Sequence, residues 1–599
     1  MKKDILSKTL DFIFSKNNTK YLVLLLIVGM IIRLIFALII GGSPDEMVYG
    51  VHSIGIINSG LLQEMTESPV WMYLTDLGYK IFGITLLSSR LMSVIFGSLT
   101  IVALYFLTKE MFSKKIALIA SFLLTFSAYH ILNTLTEMDV AMTFFIILSS
   151  YFLIRYLKEN KANDLIISTI ILGIGVLVKT IGLLFIPAYL CALIIYPKIK
   201  NKQKIISKKT IVAVLIFAAI MFLMVLPTLT FNYILYNEKG LTDLQFSRFL
   251  SGENKGIYQS LSHTIQPFSM KTLFVDYGGG KPGIMEGLRY YWSLSIFLFI
   301  ASILGIIISL RRNKSWAIYL LILFSIPFVF LSGTSLLPKH FIFAIPIFCI
   351  FSSLTLDKIS QISKKNSGHI LLALLLLFLI ISAVNLIPQI SEKNSIQKTI
   401  EYKNNNIEKE SFVIIDSRIY NGRAAFMFSD RYYLETNYLP MLLEQINQYQ
   451  TDKKIKTYVI ECVTDDCGWG TVSEQQEFNK TTESIISSLK EISILKKTIP
   501  QGEKEPYLNI WETEFPFVPG MLESTQETHN FLYYPVNYQP EEKIILNYEA
   551  NKPLHKFLDR LSHIILYIQI LIALLTLPLI AFLLTKNYED ETINNNAGV

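Results

Sequence analysis

Charge is scarce in this sequence: Asp, Glu, Lys and Arg make up 17% of its 599 residues, against 52% hydrophobic residues. Soluble domains carry nearer one quarter charged residues, so a soluble globular chain of this length is excluded and an integral membrane protein is expected. Cysteine is rarer still, at four residues. Cys191 and Cys349 fall in apolar runs, and Cys462 and Cys467 alone are too few for a zinc site. The latter two suit either a local disulfide in an oxidising compartment or free thiols. The first apolar run, 21–40, lacks a small-residue cleavage site and is too long for a signal-peptide core, so it reads as a retained span. A net charge of +7 might point to nucleic acid, but the Lys and Arg residues gather in short segments between apolar runs, where membrane orientation accounts for them. Nucleic-acid binding is discarded.

What is present is a succession of about twelve apolar segments of bilayer-crossing length. They are read near 21–40, 86–107, 116–135, 140–157, 165–178, 181–196, 211–231, 290–310, 316–331, 341–356, 370–387 and 564–584. Lys2, Lys3, Lys8, Lys16 and Lys20 place the N-terminus in the cytoplasm. Alternate loops then carry Lys109/Lys114/Lys115, Arg155/Lys158/Lys161, the lysines from Lys198 to Lys209, Arg311/Arg312/Lys314 and Lys358/Lys364/Lys365, all on that side. A missed or invented helix would invert every later loop. The gap between 178 and 181 admits a tight turn, a kink or a re-entrant element. The expected organisation is a transmembrane module over 1–388 with external loops 41–85 and 232–289, a soluble extracytoplasmic block over 389–560, and a last span with a cytoplasmic tail over 561–599. Within the block, 412–416 and 457–461 read as buried strands and 484–492 as a helix, so a small α/β fold is expected. No glycine-rich phosphate loop follows either strand, and a nucleotide site has no support.

Ionisable residues at membrane depth are costly and face cavities or partners. On the external side the candidates are Asp45, Glu46, Arg90, His130, Glu137, Asp139, Lys179, Lys339 and His340. Each has a plainer reading. Ser43, Pro44 and Glu46 fit a helix start with Glu46 as capping-box acid, which leaves Asp45 unexplained. Lys339 and His340 fit interfacial snorkelling. Arg90 and His130 fit helix packing, and Glu137 and Asp139 suit a helix N-terminus. Lys179 interrupts a continuous apolar stretch and is harder to dismiss.

The order of these residues resembles the polytopic GT-C glycosyltransferases that use a polyprenyl-phosphate sugar, the group holding protein O-mannosyltransferases and the lipid A aminoarabinose transferase. The resemblance covers roughly residues 20–360. Asp45-Glu46 matches the family's first external acidic motif, which carries its catalytic carboxylate. Ser68-Pro69-Val70-Trp71-Met72-Tyr73-Leu74, Ser89-Arg90-Leu91, Met138-Asp139, Val178-Lys179 and Leu337-Pro338-Lys339-His340 follow in the family's order. Two departures stand out. Glu67-Ser68-Pro69 occupies the place of a common Lys-Pro-Pro, and Glu137 stands where an arginine is frequent. The first removes a phosphate-binding lysine and shifts that role to Lys179, Lys339 and Arg90.

The resemblance implies a mainly α GT-C bundle and an inverting transfer from an undecaprenyl- or dolichyl-phosphate sugar to a lipid, glycan or protein acceptor outside the cytoplasm. Asp45 would be the base, with Glu46 and Asp139 at the catalytic centre. Lys179, Lys339, His340 and Arg90 would bind the donor phosphate, with Glu137 and His130 either touching the acceptor or supporting the residues that do. No cofactor is required by these residues; a divalent metal is left open by the extra acid at Glu137, with no other residue to support it. A transporter or flippase of a lipid-linked sugar is the alternative; no internal repeat of the kind transporters show is visible.

Overall fold

An apolar run in a bilayer must satisfy its backbone groups within itself, and a helix does so inside one segment. The computed structural model describes residues 18–42, 44–54, 69–132, 138–201, 207–240, 242, 268–276, 281–334, 337–363, 366–390, 395–419, 421–428, 430–436, 439–440, 443, 452–463, 472–500, 507–516 and 548–596, and it is mainly helical. The bundle begins with α1 (Asn18–Ile39), α2 (Pro44–Ser53), α3 (Pro69–Phe82), α4 (Leu86–Met111), α5 (Lys114–Thr125), α6 (Ala128–Leu132), α7 (Met138–Glu159) and α8 (Ala162–Val178). A 3-10 turn over Thr180–Phe185 leads into α9 (Ile186–Asn201) and α10 (Lys208–Lys239). Then come α11 (Met270–Phe274), α12 (Gly283–Arg312), α13 (Lys314–Ser332), a 3-10 turn over Pro338–Phe341, α14 (Ala344–Ser360) and α15 (Ser367–Ile390). The last helix of the chain, Pro553–Asn596, follows the α/β domain.

Among the described residues, 8 helices are long and apolar enough to cross a membrane, and Ala162–Val178 and Thr180–Tyr196 are shorter apolar segments. The chain is a multi-pass membrane protein. Every expected span coincides with helical structure, but some differ in outline. The expected span 116–135 breaks after Thr125, and α6 follows two residues later. A helix can stop inside the bundle because side chains take the freed carbonyls. Arg33 donates to the carbonyls of Leu124 and Thr125 at 3.2 and 3.5 Å, and the Ser382 hydroxyl donates to that of Phe126. The gap at 179 resolves as a break with extended backbone at Lys179 (φ −154°, ψ 128°) followed by the 3-10 turn. The final helix runs far beyond 564–584: its 44 residues span about 66 Å, twice the roughly 30 Å of a bilayer's hydrocarbon core.

The bundle packs through large buried side chains and one very close backbone approach. Phe96 stacks on Phe144 and Phe145 at 5.3 and 5.0 Å, joining α4 to α7. At Gly305 an added Cβ would lie 1.9 Å from the Phe351 carbonyl oxygen, so α12 and α14 touch backbone to backbone there. At one end of the bundle, Glu591 accepts from the Thr19 amide and hydroxyl at 3.1 and 3.0 Å and pairs with Lys114 at 3.2 Å, while Lys115 pairs with Asp357 at 2.8 Å. The two described chain ends therefore meet at the end bearing these basic loop residues.

The α/β domain sits at the opposite end. It comprises α16 (Ser395–Asn406), β1 (Phe412–Ile415), α17 (Asn421–Phe428), β2 (Tyr432–Glu435), β3 (Lys454–Cys462), α18 (Val472–Glu491), β4 (Ile494–Ile499) and β5 (Leu508–Pro516); the closing helix Pro553–Asn596 is α19. The sheet order is β2-β1-β3-β5-β4, with β1 parallel to both neighbours and β5 antiparallel to β3 and β4. Strand side chains alternate between faces. Phe412, Ile414 and Val459 pack with Ile486 and Leu489 of α18, while Val413, Ile415, Tyr433 and Tyr458 pack with Ile396 and Ile400 of α16. Buried Asp416, just after β1, accepts from Arg418 at 2.7 Å and from the Cys462 amide at 2.9 Å. Cys462 is disulfide-bonded, Cys191 and Cys349 are free, and Cys467 lies outside the described residues.

Glu435 stands opposite Ile415 in the sheet register and is buried, and its Oε1 has no hydrogen-bond partner among the described residues. Burial pushes its carboxyl up to about 8. The folded protein then holds a proton that the unfolded chain releases near pH 4.3, so stability falls as pH rises from there to about 8 and levels off above. Glu435→Gln is expected to raise the melting temperature at pH 8 and to change it little at pH 5; equal shifts at both pH values would contradict this.

Candidate functional site

Pro44 opens α2, its fixed φ and missing N–H both suited to a first helical position. Asp45 and Glu46 fall in the first turn. The buried carboxylate of Glu46 meets Arg90 of α4 in a two-pronged ion pair, Nε to Oε1 and Nη2 to Oε2, the latter at 2.8 Å; Ser43, the expected cap residue, lies outside the described residues. The remaining Arg90 donors go to the carbonyls of Ala37, Ile40 and Gly41 at 2.6, 2.8 and 2.9 Å. A guanidinium has five N–H groups, and all five are engaged here. Arg90 thus closes the C-terminal end of α1 and fastens α2 to it, and in this structure it has no donor left for a phosphate.

One helical turn beyond Asp45, Tyr49 lies on the same face of α2. The Lys339 ammonium stands 5.4 Å from the centre of the Tyr49 ring, within the range of cation–π attraction. Lys339 is only 9% exposed, which sets aside snorkelling toward water. It sits in the 3-10 turn Pro338–Phe341 beside His340, which is half-buried. Tyr129 of α6 steadies that turn, its hydroxyl donating to the Pro338 carbonyl. Tyr129 also lies within electrostatic reach of Asp139, in the first turn of α7.

Lys179, at the break after α8, donates to Asp139 Oδ2 at 2.8 Å, with side chains 4% and 1% exposed. The other oxygen, Asp139 Oδ1, is buried without a hydrogen-bond partner among the described residues. His130 is drawn elsewhere. Its Nδ1 accepts from Arg33 at 3.0 Å, and Arg33 also donates to the Gly29 carbonyl at 3.0 Å. Glu137 and the Glu67-Ser68 departure lie outside the described residues.

The structure therefore brings Glu46 to Arg90, Asp139 to Lys179, and Lys339 to the helix that carries Asp45. His130 joins a separate buried pair with Arg33. Three contributors escaped the sequence reading. Arg33 is the one charged residue in the run 21–40, and that interruption was a visible signal. Tyr49 was visible through its i+4 relation to Asp45. Tyr129 offered no signal, because a tyrosine near a membrane interface is ordinary.

Comparison with known proteins bears on the fold. Residues 66–230 match the family described as dolichyl-phosphate-mannose-protein mannosyltransferase. A protein of Aquifex aeolicus (strain VF5) is 29% identical over 146 residues, covering 23% of this chain, and YkcB of Bacillus subtilis (strain 168) is 26% identical over 151 residues, covering 25%. The matched stretches span 29% and 21% of those relatives' own lengths. Among solved structures, ArnT from Cupriavidus metallidurans bound to undecaprenyl phosphate is similar with a TM-score of 0.53 at 11% identity, over 82% of this chain and 98% of that one. Its apo state gives 0.51 at 12% identity over the same shares. The helical bundle bearing one α/β domain has the GT-C fold.

Proposed function

We propose that this protein is a membrane glycosyltransferase that moves a sugar from a polyprenyl-phosphate donor to an acceptor on the side of the membrane holding the α/β domain, outside the cytoplasm. The observation that carries this reading is Lys339 on the ring of Tyr49, one turn from Asp45 along the same face of α2. A cation beside a carboxylate-bearing face suits a reaction that takes up a proton at one end and releases an anion at the other. The similarity of residues 66–230 to a polyprenyl-phosphate-mannose-using family supports the donor class, as does the undecaprenyl phosphate bound by the ArnT of similar fold.

In this reading the acceptor's hydroxyl or amine gives its proton to the Asp45 carboxylate as its oxygen or nitrogen bonds to the anomeric carbon. The bond from that carbon to the phosphate oxygen breaks with inversion, and polyprenyl phosphate leaves with the electron pair. Lys339, with His340 beside it, stabilises the charge gathering on the phosphate. Lys179 holds Asp139, whose second oxygen is buried and ready to accept a hydrogen bond from the acceptor. Arg90 works at one remove: it fixes Glu46, and so the first turn of α2, against the end of α1.

Incubation of the purified protein with undecaprenyl- and dolichyl-phosphate mannose and a membrane extract as acceptor source tests the class. Release of polyprenyl phosphate is expected with the wild type and is lost in Asp45→Asn, inserted and folded as before; near-normal release by that variant would remove Asp45 from its role. Arg90→Gln takes the guanidinium from buried Glu46 and from the carbonyls of Ala37, Ile40 and Gly41, so a stability loss of about 3–5 kcal/mol is expected in thermal unfolding, recovered only in part in the double variant Glu46→Gln/Arg90→Gln, where the carbonyls still lack those donors. Unchanged stability with only a higher donor KM would instead mark Arg90 as a phosphate ligand.

A further inference from the structure

The core of the α/β domain does not end at the domain. Met47 of α2, Tyr79 of α3 and Leu86 of α4 belong to the same buried cluster as Ile396, Ile400, Val413, Ile415 and Phe426. Gly42, just before α2, is part of this seam: a Cβ there would meet Met47 at 2.5 Å and Ile396 of α16 at 3.2 Å. Gly50, five residues beyond Asp45, meets the domain directly. A Cβ at that position would lie 2.8 Å from Cε2 of Phe426 on α17 and 2.9 Å from the Tyr79 hydroxyl. The rings of Phe426 and Tyr79 in turn face each other at 6.4 Å with a 56° tilt. Only a residue without a side chain lets α17 seat this closely on α2. One turn earlier on the same face, α2 is held by Arg90 through Glu46.

We infer that the α/β domain is a positioning part of the catalytic unit: Phe426, seated on Gly50, sets the placement of α2 and hence of Asp45, so that the domain governs the chemical step as well as any acceptor contact. This rests on the transferase reading above. A carboxylate base on a helix fastened at a single point would pivot about it, and misplacement by about 1 Å can cost on the order of 100-fold in rate. Phe426 and Gly50 act through α2, without touching substrate themselves.

The test is a rescue series in the full-length protein. Gly50→Ala inserts a methyl group where Phe426 and Tyr79 now sit, and is expected to lower kcat for undecaprenyl-phosphate mannose by about 10- to 100-fold while the Kd for undecaprenyl phosphate stays unchanged. Phe426→Leu and Tyr79→Phe together withdraw both obstructing groups, and adding them to Gly50→Ala is expected to restore most of kcat. A Gly50→Ala variant with normal kcat, an effect confined to acceptor KM, or a triple variant with no recovery would each overturn the inference. Thermal unfolding of the same series keeps the two claims apart. A wild type without transfer activity would sink the proposed function, whereas destabilisation by Gly50→Ala and its reversal in the triple variant report the seating of α17 on α2 independently.

Discussion

A helix that ends inside a membrane protein leaves carbonyls with no water to receive, and the rest of this structure hangs on how that is solved at the end of α1. Arg90 supplies five donors to three backbone carbonyls and one carboxylate. The same guanidinium that satisfies the helix end holds the next helix in place. Arg33 repeats the device one level away, taking the last carbonyls of α5 and His130. Both arginines are fully buried, where an unpaired charge would be prohibitive. Their partners therefore belong to the architecture, and the segment carrying Asp45 is fixed before any substrate arrives.

The charges that the proposed reaction uses are also held, but differently. Lys179 is matched by Asp139, giving a buried pair with one carboxylate oxygen still open to a donor. Lys339 rests on an aromatic face, which attracts its ammonium and helps to hold it in position. Tyr129 links the two regions by bonding the turn that carries Lys339 while lying near Asp139. The α/β domain closes the arrangement from above, through a core continuous with α2, α3 and α4.

Much of this was legible in the residues, for reasons that differ by element. Spans such as 86–107 and 140–157 announced themselves by length and hydropathy, and became α4 and α7 with their ends moved by a few residues. The largely apolar runs at 412–416 and 457–461 marked the interior strands β1 and β3, whereas β2 and β4, the two edges of the sheet, carried no such run. The break after Thr125 was invisible, because it depends on Arg33 and Ser382, 92 and 256 residues away from the carbonyls they satisfy. Pairings failed for the same reason. Glu46 and Arg90 were both singled out, but as parts of a catalytic and a phosphate site, since nothing in their spacing of 44 residues says that they meet. His130 was assigned to the acceptor while its partner Arg33 passed unremarked in the first span.

The central claim is that a cation and the carboxylate-bearing face of α2 are held together around a lipid-linked phosphate at the end of the bundle beneath the α/β domain. A cryo-EM structure of the protein in nanodiscs with undecaprenyl phosphate tests it most directly. The account predicts the phosphate within hydrogen-bond reach of Lys339 Nζ, on the face of α2 that bears Asp45 and Tyr49. Phosphate density at the opposite end of the bundle, or separated from Lys339 by a packed helix, would contradict it.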